Sequence, residues 1–119
     1  MINELRLLEL HDTPIKLLQV DFEKEELLFI VSRYDENLGD YSDIELKFFE
    51  VSNLSLDPIA DVSILEIFNV VINIIDSELY KIEFILIYHY PTVNINFNFQ
   101  FKNVEVLHRT GELYHNCKQ

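Results

Sequence analysis

Apolar and polar side chains alternate without a slip over TVNINFNFQF, Thr92 to Phe101. Val93, Ile95, Phe97, Phe99 and Phe101 fall on one side of an extended chain and Asn94, Asn96, Asn98 and Gln100 on the other, because strand side chains alternate with period two. A helix would scatter the same residues around its axis. The pattern predicts a strand with one face in a core and the other wet or against a polar neighbour. Lys102 and Asn103, both polar, break the register before Val104 and Val106 resume it, which predicts a bulge in a strand running on to Leu107. The preceding LYKIEFILIYHY puts Tyr80, Ile82, Phe84, Leu86, Tyr88 and Tyr90 on one face. Its other face begins polar at Lys81 and Glu83 and turns apolar at Ile85 and Ile87, as in a central strand covered on both sides over its second half. With only Pro91 and Thr92 between them, the two segments predict a long hairpin.

Upstream, PIKLLQVDF and ELLFIVSRY flank the turn Glu23-Lys24-Glu25-Glu26 and predict a second hairpin, with Leu18, Val20 and Phe22 inward on its first strand. The polar loop DENLGDYSD follows. Then DIELKFFEV places Ile44, Leu46 and Phe48 on one face and slips at Phe49, completing a meander. The middle, DPIADVSILEIFNVVINII, carries competing signals. Asp57 and Pro58 favour a helix start, whereas Val62, Ile64, Ile67, Val70, Val71, Ile72, Ile74 and Ile75 are β-branched and favour strand. Strand is expected from about Phe68 to Asp76, with a strand or short helical turn before it. NELRLLELH reads as one short helix capped by Asn3 or as an edge strand. The expected fold is all-β: seven or so antiparallel strands in hairpins and a meander, curled into a sandwich or an open barrel, with at most one short helix. No repeat or linker divides residues 1–119, so a single domain is expected.

Composition adds that the core is well supplied: 49% of the 119 residues are hydrophobic, with nine Phe and six Tyr. A chain of this length buries roughly two-thirds of its unfolded surface and needs no metal or disulfide to fold. Charge changes the picture more. Asp plus Glu number 21 against nine Lys plus Arg, a formal net charge of -12. Such a surface is repelled by nucleic-acid phosphates and by anionic membranes, and attracts a basic protein partner. The same charge also keeps a chain rich in hydrophobic residues in solution. The lone cysteine, Cys117, permits no intrachain disulfide and fits a reducing cytoplasm. MINELRLLELHD has no basic leader and is interrupted by Glu4 and Glu9, so it does not read as a signal peptide. No apolar run reaches membrane-spanning length.

Candidate chemistry is thin. DENLGDYSD has Asp35, Asn37 and Gly39 at alternating positions, but a calcium loop needs an oxygen ligand where Gly39 stands and Gly where Asp40 stands. A turn whose Asx side chains bond their own backbone is the better reading. Among His11, His89, His108 and His115, only His115 has a cysteine close in sequence, and Cys117 with one histidine makes no metal site. His11 and Asp12 are the one adjacent His–Asp pair. On a strand they would point apart, unless Thr13 and Pro14 supply a turn; a bend in which Asp12 bonds nearby backbone amides is favoured. Gly39 and Gly111 are too few for a phosphate-cradling loop or a nucleophile elbow. Tyr88-His89-Tyr90 suits ordinary sheet packing better than a pocket mouth. No catalytic residue, metal or cofactor is assigned.

The order of elements carries a resemblance. LHDTPIKLLQVDFEKEELLFIV sets a His-Asp before two apolar strands, IELKFFEVSNL follows, and FNFQFKNVEV is an aromatic strand with a hydrophobic-acidic ending. This is similar to small acidic bacterial immunity proteins of polymorphic toxin systems and to related uncharacterised families, over most of the chain. The resemblance implies a cytoplasmic protein that binds and neutralises a cognate toxin, and it carries over neither a catalytic nor a contact residue.

The expected function is therefore a non-enzymatic protein-binding module occluding a basic partner. The alternatives are a small ligand-binding or catalytic domain with a pocket inside the curled sheet, and a structural module that dimerises. In a meander successive turns lie at alternate ends. That puts Glu23, Glu25 and Glu26 at one end, and Asp35, Glu36, Asp40 and Asp43 at the other beside His11 and Asp12. Asp12, Asp35, Glu36, Asp40 and Asp43 are the expected partner-binding residues.

Overall fold

A computed structural model describes residues 2–58, 65–89 and 92–109. It consists of a short helix, α1 (Ile2–Leu7), and eight strands: β1 (Thr13–Asp21), β2 (Glu26–Asp35), β3 (Asp40–Phe49), β4 (Ser52–Leu56), β5 (Leu65–Ile74), β6 (Tyr80–His89), β7 (Thr92–Phe101) and β8 (Asn103–Arg109). The strands form one antiparallel sheet in the order β4-β7-β6-β5-β1-β2-β3-β8. Among the described residues the outer strands β4 and β8 do not pair, so this eight-stranded sheet is not closed into a barrel. The fold is all-β, as the alternation predicts.

The sheet folds over on itself. Among the described residues, its halves, β4-β7-β6-β5 and β1-β2-β3-β8, are joined by strand pairing where Thr13 and Pro14 meet Ile67 and Glu66. Across the interior, Phe29 of β2 stacks on Phe84 of β6 at 4.9 Å, and Phe48 of β3 meets Phe99 and Phe101 of β7 edge-on at 4.8 and 4.9 Å. These rings are fully buried, together with Phe97, Leu27, Leu46, Ile82 and Leu86. The alternation in β7 does what the sequence implies. Ile95, Phe97, Phe99 and Phe101 are buried, while the Asn and Gln side chains are exposed or half-buried; only Val93, at the strand's start, departs by being exposed.

Several expectations need correction, and most share one cause: the two halves are joined by irregular corners. In β5, Phe68 is an extra residue against β6, since Ile67 opposes Leu86 and Asn69 opposes Ile85. In β1, Lys16 is extra against β2. Each insertion flips the inward parity of its strand. Thr13 and Ile15 face in, then Leu18 and Val20; Leu65 and Ile67 face in, then Val70 and Ile72. Phe22 lies beyond β1 in the turn and is 81% exposed, not inward. The polar pair Lys102-Asn103 is no bulge: β7 ends at Phe101, and β8 begins in the opposite half, against β3.

A second corner lies beside it. Glu50 takes a positive φ of 53° between β3 and β4, so β4 leaves its predecessor and pairs with β7. The N–H of Lys102 donates to the carbonyl of Phe49 at 3.1 Å, tying the two corners together. Among the described residues there are eight strands, because SNLSL forms β4. β5 begins at Leu65 and ends at Ile74, shifted from 68–76. Asp57 and Pro58 are not helical, and residues 59–64 lie outside the described set. The N-terminal segment is the helix, with Asn3 inside it as its second residue, and Leu5 and Leu10 bury themselves in the core.

Candidate functional site

The β2–β3 hairpin closes with Asp35 opposite Asp40. Gly39 has φ +66°, and its N–H donates to the Asp35 carbonyl at 2.9 Å. Asp35 Oδ1 accepts the N–H of Asn37 at 2.9 Å, and Asp40 Oδ1 accepts that of Tyr41 at 2.8 Å. This is the Asx-bonded turn expected for DENLGDYSD. Glycine at position 39 supplies the left-handed conformation that the tight connection requires.

Next to this hairpin end lies an open groove of about 840 Å³. The entry to β1 contributes Glu9, His11, Asp12 and Thr13. The hairpin contributes Ser32 through Asn37 with Tyr41, Ser42 and Ile44, and β8 contributes His108. Of the five expected partner-binding residues, the groove brings together Asp12, Asp35 and Glu36. Asp40 stands across the hairpin from Asp35, outside the lining. Asp43 is placed differently: its carboxylate is only 13% exposed and pairs with Lys16 Nζ of β1 at 2.9 Å, reaching across β2. The Glu23–Glu26 turn sits at the other end of β2, where Asp21 opposes Glu26. It borders a smaller depression of about 340 Å³ with Phe22, Val51 and Leu54.

His11 and Asp12 form a turn, with Asp12 at φ 60°. The two side chains do not point apart: His11 Nδ1 lies 3.0 Å from Asp12 Oδ2, both well exposed. The Asp12 carboxylate therefore faces its neighbour instead of local amides, while the Asp12 N–H donates to the Ile67 carbonyl at 2.7 Å and anchors the turn to β5. The His11 ring rests on Phe68 at 5.3 Å. A histidine oriented by a carboxylate is half of a nucleophile-activating device. Among the described residues no hydroxyl or thiol hydrogen-bonds to His11, and the Thr13 hydroxyl is turned to the His11 carbonyl at 3.5 Å.

The sequence reading missed Tyr34 and Tyr41. They oppose each other in the hairpin, with rings in T-shaped contact at 5.4 Å, and remain 51% and 59% exposed. Both line the groove, as does Arg33. A signal was present: two tyrosines placed symmetrically about DENLGD become cross-strand neighbours once Asp35 and Asp40 close the turn. Exposed aromatic pairs beside carboxylates suit cationic side chains, which are attracted both to the ring faces and to the charges.

Buried phenylalanine rings occupy the interior between the two halves. No three His, Cys, Asp or Glu side chains converge to hold a metal ion among the described residues, and no helix there is long and apolar enough to cross a membrane. His115 and Cys117 lie outside the described residues, as does the side chain of His89. No protein-family model matches this chain, and no curated protein or solved structure is significantly similar to it.

Proposed function

We propose that this chain is a non-enzymatic, cytoplasmic binding module that occludes a basic protein partner, in the manner of an immunity protein neutralising a toxin. The single observation that carries this reading is the groove end. Asp12, Asp35 and Glu36 meet there around an exposed tyrosine pair, with Asp40 alongside. In a chain of net charge -12 the long-range field draws in a cation-rich surface, and the tyrosines supply rigid contact area once it arrives. Asp43, held by Lys16, takes a structural part rather than a docking one. The filled interior favours recognition on the surface over a pocket within the sheet.

The product of the gene adjacent to this one is the partner to test. Expressed alone it should arrest growth, and co-expression of this chain should restore it. Neutralising Asp35, Glu36 and Asp40 together should slow association and flatten its salt dependence, with a smaller effect on dissociation. Growth arrest that this chain does not relieve, or an unchanged association rate and salt slope in the triple variant, defeats the reading.

A further inference from the structure

A single exposed apolar side chain is ordinary, but one that continues an apolar depression marks a contact surface. Phe22, 81% exposed, is of the second kind. With Val20, Val51 and Leu54 it lines the depression of about 340 Å³ at the β1–β2 turn. The walls of this depression are fixed. The N–H of Val51 donates to the Glu25 carbonyl at 2.8 Å, joining the turn to the β3–β4 corner. Among the described residues four non-glycine residues take a positive φ, and three of them stand here: Glu25 at 56°, Glu50 at 53° and Asn53 at 50°. Residues that carry a side chain hold this conformation only where their surroundings enforce it, and such positions gather at ligand clamps. β4 leads away from the corner. Beyond Leu56 the Asp57 N–H donates to the Asn96 carbonyl at 3.0 Å, and the Asn96 N–H donates to Asp57 Oδ2 at 2.9 Å.

Charge on the rim selects the occupant. Residues 21–26 hold the carboxylates of Asp21, Glu23, Glu25 and Glu26 against the single cation of Lys24. Glu26 is paired with Lys47 at 3.4 Å, whereas among the described residues no cation pairs with Glu23, Glu25 or Glu50. We propose that this depression is a second docking site, separate from the groove and not resting on the reading given to it, for an extended segment of a basic polypeptide. A bulky apolar side chain of that segment seats on Phe22, Val51 and Leu54, and lysines or arginines beside it meet Asp21, Glu23 and Glu25. The rim repels nucleic acid and anionic lipid, and a second copy of this chain would set carboxylate against carboxylate. A wholly apolar segment would strip water from the rim without supplying counter-charge. The volume lies at the low end of ligand pockets, about 300–1,000 Å³, and suits one or two side chains of a peptide better than a whole small molecule.

The probe is a short synthetic peptide with a pair of leucines between pairs of lysines, titrated into the isotope-labelled full chain and followed by amide NMR. The chain carries Asp35→Asn, Glu36→Gln and Asp40→Asn, so that capture at the groove does not mask the second site. The amides of Phe22, Glu25, Val51 and Leu54 should shift and saturate. Phe22→Ser should weaken this binding about tenfold or more while leaving the circular dichroism spectrum unchanged, because the ring is an anchor and not part of the core. Glu23→Gln with Glu25→Gln should weaken it about threefold at low salt and flatten its salt dependence. Peptides with serine in place of leucine, or glutamate in place of lysine, should leave the four amides unmoved. The proposal is overturned if the leucine–lysine peptide moves none of them, if the serine peptide moves them equally, or if Phe22→Ser binds like its parent. None of these results touches the groove, whose carboxylates are already neutralised in this chain.

Discussion

Phe99→Ala tests whether the sheet is folded over a shared aromatic core. Phe99 is fully buried, and its ring touches Phe48 from the opposite half at 4.8 Å and Phe97, Phe101 and Phe84 within its own half at 5.3, 6.0 and 6.2 Å. Removing it deletes the packing of one ring and leaves a cavity walled by others that are themselves locked, so collapse around the gap is limited. The expected cost is about 3–5 kcal/mol. With a urea slope of about 1.5 kcal/mol/M, the unfolding midpoint should fall by about 2–3 M. Asn98→Thr, one residue away on the outward face, should move it by less than about 0.5 kcal/mol. A double-mutant cycle sharpens the test, since Phe48 and Phe99 belong to different halves. Phe48→Leu and Phe99→Leu should be coupled by about 0.5–1.5 kcal/mol, the worth of an edge-to-face pair. Equal midpoints for Phe99→Ala and Asn98→Thr would refute the alternation argument. Additive leucine variants would refute the face-to-face packing.

Phe22→Ser should leave the urea midpoint within about 0.5 kcal/mol of the parent, because the ring projects into solvent. Ile67→Ala should cost about 2–4 kcal/mol by the same measurement, and Phe68→Ala under about 1 kcal/mol, because the bulge sends only the first of these neighbours inward. Lys16→Ala should cost about 0.5–1 kcal/mol at low salt, less in high salt, since it strips a cation from the partly buried Asp43. Asp40→Asn should raise stability by about 0.2–1 kcal/mol in thermal or urea melts, because Asp35 and Asp40 are directly opposed like charges.

Strand identity was legible where one parity held along a whole segment, as in Ile95-Phe97-Phe99-Phe101 and Ile44-Leu46-Phe48. It failed at the points where the chain changes sheet half. A corner residue and a bulge residue look alike in a polarity pattern, because each breaks alternation by one; Lys102-Asn103 was the first and read as the second. The parity flips at Lys16 and Phe68 depend on which strand lies alongside, information that is held in other parts of the chain. The groove was partly legible for a related reason. Meander geometry places Asp12 near Asp35 and Glu36 from connectivity alone. Whether a carboxylate on β3 faces a partner or a lysine on β1 depends on cross-strand register, and Asp43 went to the lysine.

The arrangement of charge along β2 bears on why the acidity is there at all. If acidity served solubility alone, its placement would follow exposure, and opposed carboxylates would be avoided because they cost stability without adding solubility. The turn at Asp35 and Asp40 sets two carboxylates directly across from each other and flanks them with Tyr34 and Tyr41, large rings left in solvent. Both aspartates accept a turn amide, a task that asparagine performs without the repulsion. Local structure therefore accounts for the side-chain oxygen at each position but not for the charge. The proposed docking of a cationic surface at the groove would account for both the charge and the exposed rings, since it would relieve the repulsion on binding and cover the tyrosines.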